Sequence, residues 1–241
     1  MAISQGDIMP DITIDAADGG SFSAYLATPD AASAPAIVVI QEIFGVNQVM
    51  RDLCDGFAAQ GYLAACPDLF WRIEPGVQLT DQSPEEWDRA FALMNAFMPD
   101  FEKGLGDIQA TISHMRGAEG CNSKVGAVGY CLGGSLAYAA ACFTDADVSV
   151  GYYPVKIEDS LENASNISHP LMLHIAEADG FCPPDAQAKI KEALGGNDQV
   201  TLHTYPGVDH AFARIGGDNY HAEAAALANQ RSQAFLTAAL G

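Results

Sequence analysis

The chain reads as an α/β protein whose mostly parallel central sheet is covered by helices on both faces. Three observations predict this. Continuous apolar runs of strand length occur at 36–40 and 62–66, and a third run, broken only by His174, at 171–176. Stretches with helical spacing separate them. The length, 241 residues, suits one α/β domain, with no linker or internal repeat to divide it.

In chain order, residues 12–27 read as two short strands around Asp18-Gly19-Gly20, a hairpin signal. The run 36–40 (AIVVI) is a strand buried on both faces. Residues 46–60 carry Val49, Leu53 and Phe57 at helical spacing, and Gly61 closes that helix. Residues 62–66 (YLAAC) form the next buried strand, ended by Pro67. Ser83-Pro84-Glu85-Glu86 opens a helical stretch that reaches about residue 115, with breaks expected near Pro99 and Gly104. A strand at 124–128, a small-residue helix at 135–142 and strands at 148–153 and 171–176 follow. A helix at 183–194, a strand at 200–205 and an Ala-rich helix at 221–240 complete the chain.

Charge narrows the function. Lys and Arg number 11 against 31 Asp and Glu, a net charge of −20. Such a surface repels nucleic acid and anionic membranes. No apolar segment reaches the ~18–20 residues of a membrane span. The N-terminal MAISQGDIMPDITID lacks the basic and apolar regions of a signal peptide. The six cysteines, at 54, 66, 121, 131, 142 and 182, show no CxxC pairing. They are expected to be reduced thiols of a cytoplasmic protein, with no metal site.

In sheets of this kind ligands bind beyond the C-terminal strand ends, so the loops after each buried strand hold the candidates. After 124–128 comes Gly129-Tyr130-Cys131-Leu132-Gly133-Gly134 and then a helix. This G-x-C-x-G between strand and helix is a nucleophile elbow, a strained turn that presents one side chain above the sheet. Gly129 and Gly133 are required because a Cβ at either would collide with a neighbouring element. A helix N-terminus behind Cys131 favours a thiolate. The chain order of this fold, nucleophile then acid then histidine, selects His210, in the loop after 200–205. It also selects Asp179 after 171–176, with Glu177 as second choice. His174 and His203 fall inside strands, and His114, His169 and His221 read as surface or turn residues. Glu42 follows the first buried strand and points into the same crevice, where an unpaired carboxylate is unfavourable. The backbone N–H groups of Ile43 and Leu132 are the candidate oxyanion donors.

Four segments together resemble the bacterial dienelactone hydrolase (carboxymethylenebutenolidase) family. They are Gln41-Glu42-Ile43-Phe44-Gly45-Val46-Asn47, the Cys131 elbow, Val150-Gly151-Tyr152-Tyr153 and His210-Ala211-Phe212-Ala213-Arg214. The resemblance implies an eight-stranded α/β-hydrolase core and no cofactor. It implies a Cys131–Asp179–His210 triad with Glu42 as a switchable carboxylate, hydrogen-bonded to the resting Cys131 thiol. It implies a small anionic lactone substrate whose carboxylate is held by Arg214 and, by ungapped spacing, Arg89, with Tyr152 as the active-site tyrosine. The reaction it implies is hydrolysis of dienelactone to maleylacetate in chloroaromatic breakdown, with no required protein partner. The chain departs from the family at Leu93 and Ala96, where pocket aromatics are common, and at Ala211, commonly serine. Tyr25, Trp71, Trp87, Phe91 and Phe97 are the candidate replacements. The rival readings are a cysteine-dependent esterase or thioesterase on another small ester, or a non-catalytic α/β binding protein. A nucleotide-binding module lacks its glycine fingerprint.

Overall fold

A computed structural model describes residues 11–241. The part of the N-terminal signal-peptide reading that falls on residues 1–10 lies outside the described residues. Eight strands form one sheet in the order β1-β2-β4-β3-β5-β6-β7-β8. They are β1 (Ile12–Asp15), β2 (Ser21–Ala27), β3 (Ala34–Ile40), β4 (Leu63–Pro67), β5 (Cys121–Tyr130), β6 (Val148–Tyr152), β7 (Leu171–Ala176) and β8 (Val200–Tyr205). The β1–β2 and β2–β4 pairs are antiparallel and all others parallel. Strands β3, β4, β6 and β7 are almost wholly apolar because helices cover both their faces.

The helices are α1 (Gln48–Ala59), α2 (Pro84–Phe97), α3 (Phe101–Arg116), α4 (Leu132–Phe143), α5 (Pro184–Leu194) and α6 (Ala222–Leu240). Helices α3, α4 and α5 lie on one face, where α4 and α5 share an apolar cluster with β7. Helices α1 and α6 lie on the other. Asn47 caps α1 by accepting from the Met50 N–H at 3.2 Å, and Ser83 caps α2 by accepting from Glu86 at 3.2 Å. Pro99 interrupts the helical stretch as expected, in the 3₁₀ turn Met98–Asp100. Gly104 does not. Helix α3 runs through it, and the Phe97 ring occupies the space a Cβ would need there. Helix α4 starts at Leu132, three residues earlier than its small-residue run suggests. His169 is buried, not a surface residue, because its Nε2 reaches Ser149 Oγ at 2.9 Å. Among the described residues, no helix is long and apolar enough to cross a membrane.

The topology itself places the crevice. After β3 the chain crosses to β4 on one side, and after β5 it crosses to β6 on the other. The two connections diverge, leaving a gap above the C-terminal ends of β3 and β5.

Candidate active site

Strand register decides which loop residues meet in that gap. Ile40 pairs with Gly129, so Glu42 and Cys131, each two residues further on, emerge side by side. Tyr130 pairs with Tyr152, which brings Tyr153 beside Cys131. The loops after β7 and β8 supply Asp179 and His210.

Cys131 stands at φ 57° and ψ −115°, a conformation that L side chains avoid, as a nucleophile elbow requires. The turn is closed so tightly that a Cβ on Gly129 would fall inside the Gly133 backbone, and one on Gly133 inside that of Ile40. Leu132 opens α4, so its N–H is among those with no partner inside the helix, and both Leu132 and Ile43 line the cavity above Cys131.

His210 Nδ1 lies 2.8 Å from Asp179 Oδ2, with both residues buried. Asp179 is fixed in turn by the Phe181 N–H, which donates to Oδ1 at 2.8 Å. The rings of Tyr153 and Phe181 pack edge-on against the imidazole, with centroids at 5.1 and 4.9 Å. Burial works against the imidazolium. Negative charge on Cys131 and the bond to Asp179 outweigh it and lift His210 to about 10.

Glu42 does not contact Cys131 through a hydrogen bond. Its Oε2 accepts from Arg214 Nε at 2.8 Å, and its buried Oε1 has no hydrogen-bond partner among the described residues. The expected resting Cys131–Glu42 bond is thus replaced by a Glu42–Arg214 ion pair. Arg214 Nη1 also donates to Asp81 Oδ2 at 2.9 Å, and its guanidinium carbon sits 4.9 Å from the centroid of the Phe44 ring. Burial opposes the Arg214 charge, but Glu42 and Asp81 more than restore it. Gln41 braces this loop: its Oε1 accepts from the Leu69 N–H at 3.0 Å while its Nε2 donates to the Glu42 carbonyl at 3.3 Å.

Two sequence-predicted residues are not brought to the site. Arg89 lies on the exposed side of α2, ion-paired with Glu74, and does not line the cavity. The α2 stripe Trp87–Phe91–Met94 faces the cavity while Ala90, Leu93 and Phe97 face the core, which turns Arg89 outward. Tyr152 is also buried away from the cavity. Its hydroxyl donates to Asn229 Oδ1 at 2.9 Å and meets Ser232 Oγ at 2.7 Å. The tyrosine beside the imidazole is Tyr153, one residue past the strand end. Among the aromatics considered as pocket replacements, Trp87 and Phe91 line the cavity, whereas Tyr25, Trp71 and Phe97 do not.

The sequence also gave no notice of Asp81. It sits in the irregular segment between β4 and α2, which an isolated bridge between Gly45 and Gln78 folds back over the site. Its distance from every strand end hides it from a search confined to strand ends.

A cysteine held at a strand-to-helix elbow and a buried histidine–carboxylate pair, above a mostly parallel sheet, mark a hydrolase of the α/β-hydrolase fold. The profile of the dienelactone hydrolase family matches residues 22–240, and the chain belongs to that family. A carboxymethylenebutenolidase of Pseudomonas putida is 42% identical over 225 residues, covering 93% of this chain and 94% of that protein. A protein of Azospirillum brasilense whose name proposes the same activity is 51% identical over 241 residues, covering 97% of this chain and 100% of that protein. Among solved structures, one from Klebsiella pneumoniae named for the same family superposes with a TM-score of 0.80 at 26% identity, covering 95% of this chain and 97% of that one. A dienelactone hydrolase-like promiscuous phosphotriesterase from metagenomic libraries shares the fold, with a TM-score of 0.81 at 16% identity, covering 98% of this chain and 100% of that one.

Proposed function

We propose that this hydrolase opens the lactone ring of dienelactone (4-carboxymethylenebut-2-en-4-olide) to maleylacetate through a thioester on Cys131, in the breakdown of chloroaromatic compounds. The observation that carries the reading is that Cys131, His210 and Arg214 line one cavity, with Asp179 bonded to His210 from behind at 2.8 Å. The names of the Pseudomonas putida and Azospirillum brasilense relatives support the substrate.

The geometry supports the following steps. Arg214 uses Nε and Nη1 on Glu42 and Asp81 and keeps further N–H donors for the substrate carboxylate. Glu42 oscillates between Arg214 and the Cys131 thiol, and its unpartnered Oε1 is the atom free to take the thiol proton. The thiolate attacks the lactone carbonyl, forming a C–S bond, and the Ile43 and Leu132 N–H groups hold the oxyanion. Each such donor lowers the barrier by about 3 kcal/mol. Collapse breaks the ring C–O bond, and His210 protonates the departing enolate oxygen. The now neutral His210 takes a proton from water, whose oxygen attacks the thioester, and the C–S bond breaks to give the thiolate and imidazolium; Glu42 then returns its proton to the sulfur, restoring the thiol, and the released enol tautomerises to maleylacetate. The scheme uses a small anionic lactone, no cofactor, and no nucleic acid, membrane or protein partner, and it suits a cytoplasmic enzyme.

A direct ultraviolet assay with cis- and trans-dienelactone tests it. Wild type is expected to consume at least one isomer, and Cys131→Ala to consume neither. Turnover by Cys131→Ala equal to wild type would remove the cysteine from the mechanism.

A further inference from the structure

The cavity above Cys131 does not stop at the lactone site. Its volume is about 590 Å³, within the ~300–1,000 Å³ range of pockets for much larger ligands than a single ring. It follows α4 from Cys131 past Ser135 and Ala139 to Phe143, residues four apart on one helical face. At 1.5 Å per residue that face extends roughly 18 Å. The opposite wall is apolar too, built from the Trp87–Phe91–Met94 stripe of α2 and Leu105 of α3.

The polar side chains of α4 along the trough are satisfied by protein, and the charged Glu102, Lys156 and Asp159 that also line it are exposed. Ser135 Oγ accepts from the Val155 N–H at 3.0 Å and donates to the Val155 carbonyl. Tyr138 donates its hydroxyl to the Ser160 carbonyl at 3.2 Å. Near Cys131, Arg214 is matched by two carboxylates, and Arg89 is turned away toward Glu74. A neutral substrate therefore strands no charge. Of the seven large hydrophobic residues exposed among the described residues, three border this cavity: Met98 at 37%, Phe143 at 53% and Phe181 at 49%. An apolar surface that stays wet at the mouth of a reactive site is most simply explained as the seat of a ligand.

We propose that the trough along α4 is an acyl subsite, so that the protein also hydrolyses neutral carboxylic esters with extended apolar acyl chains. This rests on Cys131 being the nucleophile. The acyl carbonyl sits at Cys131 under the Ile43 and Leu132 N–H groups, and the chain lies between α2 and α4. Attack by the thiolate forms the C–S bond and releases the alcohol with a proton from His210. Water then cleaves the thioester to the free acid.

The test is a series of p-nitrophenyl esters, butyrate to octanoate, kept below their micelle concentrations. If each methylene is buried, kcat/KM rises roughly threefold per carbon, about a hundredfold across the series. The octanoate-to-butyrate ratio is then read in Ala139→Trp, which fills the trough, and in Phe143→Gln, at an exposed position that tolerates a polar residue. A drop of at least tenfold in either ratio, in a protein that still melts cooperatively, supports the subsite. A flat wild-type series, or a ratio unchanged in both variants, overturns it. A dimer in sedimentation that Ala139→Trp dissolves, with a flat series, would assign the trough to a second copy and also overturn it. Cys131→Ala separates the two readings. Loss of butyrate turnover with a flat series sinks the subsite alone, whereas retained butyrate turnover sinks the nucleophile and the subsite with it.

Discussion

His174 and His210 are both buried histidines at neighbouring strands of one sheet, and they hold their protons in opposite ways. His174, inside β7, is wholly enclosed. Its Nδ1 meets the Tyr205 hydroxyl at 2.7 Å and its Nε2 meets Ser232 Oγ at 2.8 Å. Hydroxyls can donate or accept, so they satisfy a neutral ring in either tautomer and offer no charge to balance an imidazolium. Burial, reinforced by repulsion between an imidazolium here and the His203 and Arg231 side chains, drives its affinity for a proton well below the ordinary value. His210 is almost as buried, but its partners are a carboxylate and a sulfur that can carry charge, and its value rises to about 10. Burial alone does not set a histidine's charge. The partner does.

The largest way to test this contrast is deletion of each ring. His210→Asn should lower kcat/KM by about 10²–10⁴, the usual contribution of a general acid–base. His174→Asn should change it less than tenfold, as steady-state assays would read. An equal loss at both positions would erase the distinction between a reacting histidine and a structural one.

Removing one charge should move His210 toward its twin. In Asp179→Asn the imidazole keeps a polar neighbour and loses the anion. Its titration, followed by NMR of the ring protons, should fall from about 10 toward the ordinary 6.5. Activity should drop by roughly 10²–10⁴ as orientation and protonation are lost.

Stability should bend with pH in opposite directions for the two rings. His210 binds its proton more tightly folded than unfolded, so its contribution is complete below the unfolded value of 6.5 and vanishes as pH rises through about 10. His174 is neutral in the fold, so its contribution is present above 6.5 and declines as pH falls below it. Urea unfolding across this range should show the alkaline decline weakened in His210→Asn and the acid decline weakened in His174→Asn.

The smallest expected effect concerns packing alone. His174→Phe would leave the Tyr205 and Ser232 hydroxyls short of a partner, destabilising by about 1–3 kcal/mol in urea unfolding with chemistry nearly intact. A greater loss of turnover than of stability would mean that this inner network positions the site.

How far the sequence speaks for itself depends on which physical rule governs each residue. Strand ends are visible as the limits of apolar runs, and the chain order of this fold does the rest. That is why the sequence alone points to Cys131, Asp179 and His210, which the fold brings to one end of the sheet. Glu42 was visible as a carboxylate against an apolar strand. Ungapped spacing points to Arg89, but such spacing ignores helix phase. The pattern Trp87, Ala90, Phe91, Leu93, Met94 and Phe97 already fills the two inward stripes of α2 and leaves 89 outside. Tyr152 and Tyr153 differ by one residue, and alternation in β6 sends the first sideways into the Tyr130 and His174 rings. The Asp81 contact and the 3₁₀ turns at Ile157–Asp159 and Leu161–Asn166 leave no periodic trace, since tertiary docking alone arranges them.

The left-handed backbone at Cys131 has a consequence for anyone heating or evolving this enzyme. A side chain held at φ 57° is disfavoured by about 1–3 kcal/mol, a debt the rest of the fold carries whenever the protein is intact. Glycine at 131 would cancel it, so Cys131→Gly should melt later than its parent while doing no chemistry. Selection for heat tolerance without selection for turnover would therefore favour losing the side chain at 131, the one proposed as nucleophile.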